Sequence, residues 1–184
     1  MSIRAISFAL FFFFLAGLSS CNDASSSATD TSATKEDKKS IEKYGLDAIS
    51  FGMSRTEFNE VEIPEGYPIP LGKYGYAVKG YFNDQDQLYL LQIKGIPTSE
   101  PKQYTTAIYF VWEDLIDVFT LKYGRAVGEP KLYPPISYLE NNRILFTHEW
   151  QSGTKRIQLG LLKKDGMFSA QVFIEDSNFK PSGK

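Results

Sequence analysis

The chain has 184 residues, with 20 Lys+Arg against 22 Asp+Glu, one histidine and one cysteine. A net charge of −2 without a basic block gives nucleic-acid binding no electrostatic footing. One cysteine and one histidine exclude Cys/His zinc sets and C-x-x-C redox motifs, and no Walker loop, G-x-S-x-G or G-x-G-x-x-G occurs, so no metal or cofactor is expected.

Residues 1–20 have the three parts of a secretory signal. Arg4 and the amine make a positive start, and Ile6 to Leu18 follow as 13 largely apolar residues. A membrane span needs about 20, so this run is too short to be one. Ser19 and Ser20 then lead into the lone cysteine. The order Leu18-Ser19-Ser20-Cys21 resembles the lipobox of bacterial lipoproteins. In that family the cysteine thiol takes a diacylglyceryl group, the signal is cut before it, and the new amine is usually acylated as well. The resemblance implies a Cys21 carrying palmitate-type chains. It also implies a place in the bacterial cell envelope, on the outer membrane if the source is Gram-negative. Physical chemistry agrees, because an exported lone cysteine otherwise stays a reactive thiol. Two or three acyl chains hold firmly, at about 0.8 kcal/mol per buried methylene.

Removal of residues 1–20 takes away Arg4 and no acid, leaving 19 cationic and 22 acidic side chains. Asn22 to Ser40 contain no aromatic, Val, Leu, Ile or Met, so burial cannot offset their ordering entropy. Residues 21–40 are therefore expected to be the lipidated cysteine and a flexible tether, spanning roughly 25 Å. Residues 41–179 suit one domain, and 180–184 a disordered tail.

The domain is expected to open with a short helix. Ser54 and Glu57 form a capping box, and Pro64 and Gly66 stop the helix soon after. The start Gly52-Met53-Ser54-x-x-Glu57 is similar to small envelope lipoprotein domains of the BamE/SmpA type, which implies an architecture and no site residue. Residues 64–73 read as a loop. Tyr74 to Phe82 read as a strand, with Tyr74, Tyr76, Val78 and Phe82 on one face, and Leu88 to Lys94 as its hairpin partner. Tyr104, Ile108, Val111, Trp112, Leu115, Phe119 and Tyr123 recur at steps of three and four, the stripe of a long helix ended by Gly124. A strand over Thr105 to Phe110 is the competing reading, and the unbroken stripe argues against it. Residues 125–142 form a second Pro-rich loop. Three strands close the domain, lined by Ile144, Phe146, His148 and Trp150, then by Ile157, Leu159 and Leu161, then by Phe168, Ala170, Val172 and Ile174. The expectation is an α+β two-layer sandwich, an antiparallel sheet of about five strands under one long helix, in the order α-β-β-α-β-β-β.

Chemistry is sparse. His148 alternates with aromatic residues, as a hydrogen-bonded core or rim histidine does, and no nucleophile accompanies it. Asp84 and Asp86 fail the EF-loop pattern, because Tyr89 and Gly95 stand where Gly and Glu are required. Glu113, Asp114 and Asp117 read as the solvated side of the helix. Tyr67, Tyr74, Tyr133 and Tyr138, in or beside the two Pro-rich loops, are the candidate binding residues, since tyrosine joins a rigid apolar surface to a polar tip. The reading is a membrane-anchored, non-enzymatic binding or assembly module for an envelope protein or glycan. The alternative is a carboxylate-dependent envelope hydrolase or transferase.

Overall fold

A computed structural model describes residues 49–61 and 69–181, all within the second of two units, Ser32–Lys184. The expected signal and tether, Cys21 and Tyr67 lie outside the described residues.

Helix α1 spans Arg55–Glu60 and starts as its capping box requires, with Ser54 Oγ accepting from Glu57 N and Glu57 Oε2 accepting from Ser54 N. Strand β1, Ile69–Leu71, then occupies what the sequence suggested was loop. It is followed by β2, Tyr74–Phe82, and β3, Leu88–Gly95. The long helix, α2, has three contiguous pieces, an α turn at Pro101–Gln103, a π turn at Tyr104–Ile108 and α helix over Tyr109–Tyr123. Proline at the first helical position suits a site whose N–H has no partner. The π turn sits where the hydroxyls of Thr105 and Thr106 both donate back to the Lys102 carbonyl. Gly124, at φ +81, ends the helix. Strands β4, Arg143–Ser152, β5, Lys155–Lys164, and β6, Met167–Asp176, complete the sheet.

The sheet is antiparallel in the order β1-β2-β3-β6-β5-β4, six strands rather than five. β1 escapes sequence detection because three residues with a central proline carry no alternation. The helix lies across one face, where Trp112, Leu115 and Phe119 bury against Trp150, Ile157, Leu159 and Val172. Each such side chain contributes roughly 1.5–3 kcal/mol through burial. The β5 and β6 faces are those expected.

Two expectations need correction. An extra residue in β4 at Thr147 shifts its register, so that Phe146 faces Gly160 while His148 faces Leu159. The bulge interrupts the two-residue period. His148 and Trp150 therefore face the helix, whereas Ile144 and Phe146 turn to the opposite side. The second correction concerns Asp114, which is 4% exposed and not solvated. Its carboxylate sits beneath the β1–β2 turn, accepting from Lys73 N at 3.1 Å and from the Tyr76 hydroxyl at 3.0 Å. A buried carboxylate needs such donors. Gly72, at φ +67, passes so close that a Cβ there would lie 2.5 Å from Asp114 Oδ2. Burial, then the Asp114 charge, pushes the Tyr76 hydroxyl far above its ordinary value and keeps it a donor. At the end of the described residues Lys180 pairs with Glu175 at 2.8 Å.

Tyr76→Phe should lower stability by roughly 1.5–3 kcal/mol in urea unfolding, the usual cost of losing a hydrogen bond to a buried charge. A loss under about 0.5 kcal/mol, the surface-substitution range, would show that Asp114 does not depend on that hydroxyl.

Candidate functional site

Residues 125–142 connect the end of α2 to β4, and their glycines and prolines keep them out of regular structure. The first part lies antiparallel along the outer edge of β4, with Val127 N donating to the Glu149 carbonyl at 2.7 Å and Lys131 N to that of Thr147 at 3.1 Å. Tyr133 then turns inward. Its hydroxyl donates to the Tyr104 carbonyl in the π turn at 2.7 Å, and the Tyr104 hydroxyl donates to the Pro134 carbonyl at 2.8 Å. The Tyr133 ring lies 5.0–5.2 Å from those of Tyr104, Tyr109 and Trp112. Burial pushes the Tyr104 hydroxyl up to about 12, and that of Tyr133 higher still, so both remain protonated donors.

Beyond this clamp Pro134 and Pro135 lead the loop away from the strand through a 3₁₀ turn, Ile136–Tyr138. A groove of about 320 Å³ opens between Lys131, Tyr138 and Glu140 on one wall and Arg143–Phe146 on the other. Tyr138, 69% exposed, lines it, and elsewhere in the same loop Leu132 is 89% exposed and Val127 58%. Arg143 pairs with Glu140 at 2.9 Å. The groove offers grip and, in Lys131, a cation without an ion-pair partner among the described residues.

Of the expected tyrosines, Tyr67 lies outside the described residues and the other three stand in different places. Tyr138 lines this groove. Tyr133 holds the loop down and is a structural residue. Tyr74 borders a separate groove of about 300 Å³ formed with Lys73, Phe110, Glu113, Asp114 and Asp117. Three acids line that groove, yet Asp114 is engaged with the turn and Glu113 accepts from the Tyr109 hydroxyl. Among the described residues no group of three His, Cys, Asp or Glu is placed to hold a metal, and no helix is long and apolar enough to cross a membrane. The sequence reading passed over Leu132 and Lys131. Their signal was an apolar residue beside a cation in a loop bounded by Pro130 and Pro134. Phe146 was assigned to the wrong face.

His148 is buried against the helix. Its ring stacks on Trp150 at 5.8 Å and meets Trp112 edge-on at 5.4 Å, with Nδ1 3.2 Å from Thr147 Oγ1. Burial holds its pKa below the ordinary value. No family model, curated protein or solved structure matches the chain.

Two outcomes follow from this geometry. Tyr133→Phe should cost about 1–3 kcal/mol by removing a buried donor, whereas Tyr138→Ala should stay within about 0.5 kcal/mol of the parent. Equal losses in the two would break the division between clamp and rim. The second concerns pH. The unfolded imidazole takes a proton near pH 6.5 and the folded one only lower, so the unfolded state binds more protons in between. The contribution is complete above about pH 6.5 and is lost as pH falls toward the depressed folded value. His148 is the sole histidine, so His148→Gln should flatten the dependence in that window. Unfolding curves that keep the parent's slope would refute this assignment.

Proposed function

We propose that the chain is a membrane-tethered binding or assembly module of the bacterial cell envelope. Lipid on Cys21 holds it, and residues 22–40 supply the tether. The partner surface is the second loop with the adjoining edge of β4. The observation that carries this reading is the pair of exposed aromatic rings lining the β4 groove, Tyr138 and Phe146, beside Lys131, which has no ion-pair partner among the described residues. Exposed apolar clusters of this kind mark interaction surfaces.

One observation favours the carboxylate-enzyme alternative, namely that Glu113, Asp114 and Asp117 share the groove beside Tyr74. The hydrogen bonds that already occupy Asp114 and Glu113 weigh against acid–base work there.

Wild-type chain should sediment with membranes and carry added acyl mass at residue 21, and Cys21→Ser should be released. A photo-crosslinker replacing Tyr138 should capture a discrete envelope partner, while one replacing Thr120, on the exposed side of α2, should not. Unacylated wild-type protein removes the anchor, and capture that is equal at the two positions removes the binding surface.

A further inference from the structure

Resting on the binding-module reading, we propose that the open part of β4 receives an extended peptide from a partner protein as an added strand, its side chains alternately apolar and acidic. The sheet has two edges, built differently. β1 is three residues long with Pro70 at its centre, a blunted edge of the kind that resists pairing. β4 is ten residues long, and the loop covers it only from Thr147 to Glu149.

Backbone alternation shows what remains. Lys163 is turned toward β4, because its carbonyl accepts from Asn142 N at 2.7 Å. Leu162 is therefore turned toward Ser169 of β6, its partner in the register. Ile144 lies opposite Leu162, so its N–H and C=O point outward, away from β5. No loop backbone among the described residues bonds them. The stretch Arg143-Ile144-Leu145-Phe146 carries one charge and no proline, and so lacks the usual protection of an edge.

The loop already demonstrates the pairing one step along. Val127 N and Lys131 N each donate to an outward carbonyl of β4, so this edge already accepts main-chain donors, and Pro134 and Pro135 have no N–H with which to continue. An added segment continues along the same edge, with the exposed rings of Tyr138 and Phe146 beside its apolar side chains. Lys131, without an ion-pair partner among the described residues, and Arg143 outnumber Glu140 in the groove, so an acidic side chain finds a cation there. Main-chain bonds at an edge with side chains sorting the sequence are the recognised chemistry of strand addition. A glycan lacks that repeat of N–H and C=O.

The probes are a short blocked peptide alternating valine and glutamate, its counterpart with lysine for glutamate, and forms N-methylated at alternate amides in either register. Hydrogen exchange on the full-length chain in detergent micelles should show the glutamate peptide slowing exchange at Ile144, whose N–H points outward. The lysine counterpart should bind about tenfold more weakly, a difference of about 1.4 kcal/mol. One N-methylation register should abolish protection and the other retain it. Ile144→Pro, which removes the outward N–H without touching the β5 ladder, should abolish binding of the glutamate peptide. The proposal fails if millimolar glutamate peptide leaves Ile144 unprotected, if both N-methylated registers bind like the parent, or if only glycans protect this edge. A partner captured at Tyr138 that leaves exchange at Ile144 unchanged overturns the added strand and keeps the module reading. Absence of any partner captured at Tyr138 removes the module reading itself.

Discussion

Thr147 is the residue on which the layers converge. As the extra residue of the β4 bulge it is buried, and its hydroxyl accepts from Trp112 Nε1 at 2.9 Å and donates to the Leu159 carbonyl at 3.3 Å. Its own carbonyl accepts from Lys131 N. One residue thus binds helix, neighbouring strand and loop together. The bulge also decides which side chains face out. Without it, Phe146 would follow the parity of His148 and Trp150 into the core, and the groove would lose an aromatic wall.

Much of the architecture was legible because the long elements repeat cleanly. The stripe from Tyr104 to Tyr123 survives a π turn, which inserts extra length at the point where two threonines bond backward. The alternation of Ile157–Leu161 and Phe168–Ile174 survives because β5 and β6 pair without interruption. The failures share one cause, since each depends on a contact between residues distant in sequence. The burial of Asp114 requires the turn at Gly72 and the hydroxyl of Tyr76, 38 residues away. The structural role of Tyr133 requires the Tyr104 carbonyl, 29 residues away. A one-residue slip in β4 is silent in the pattern of hydrophobicity, because His148 and Phe146 look alike at period two.

The tyrosines show the limit of reading side-chain type without position. Tyr133 and Tyr138 stand five residues apart in one loop, yet one is clamped into the aromatic layer and the other is exposed. The difference lies between them at Pro134 and Pro135. Pro134 is buried and offers its carbonyl to Tyr104, fixing the near half of the loop, while Pro135 releases the far half into the 3₁₀ turn.

The sheet face away from the helix explains why the edge is the surface left with unmet hydrogen bonds. Across that face the Tyr81 hydroxyl donates to Gln92 Oε1, Gln92 Nε2 to Gln171 Oε1 and Gln171 Nε2 to Ser169 Oγ, a ladder of 2.7–2.9 Å bonds. Glu149 is held by both Arg156 and Gln158, which keeps its carboxyl below the ordinary range. Those polar groups answer one another, so a ligand on the face would have to replace bonds already made. The outward groups of Ile144 have no such answer in the backbone of the described residues. A partner there adds hydrogen bonds without breaking internal ones, and burying Tyr138 and Phe146 supplies the hydrophobic gain. The face is closed by its own chemistry, and the edge is where association has something to gain.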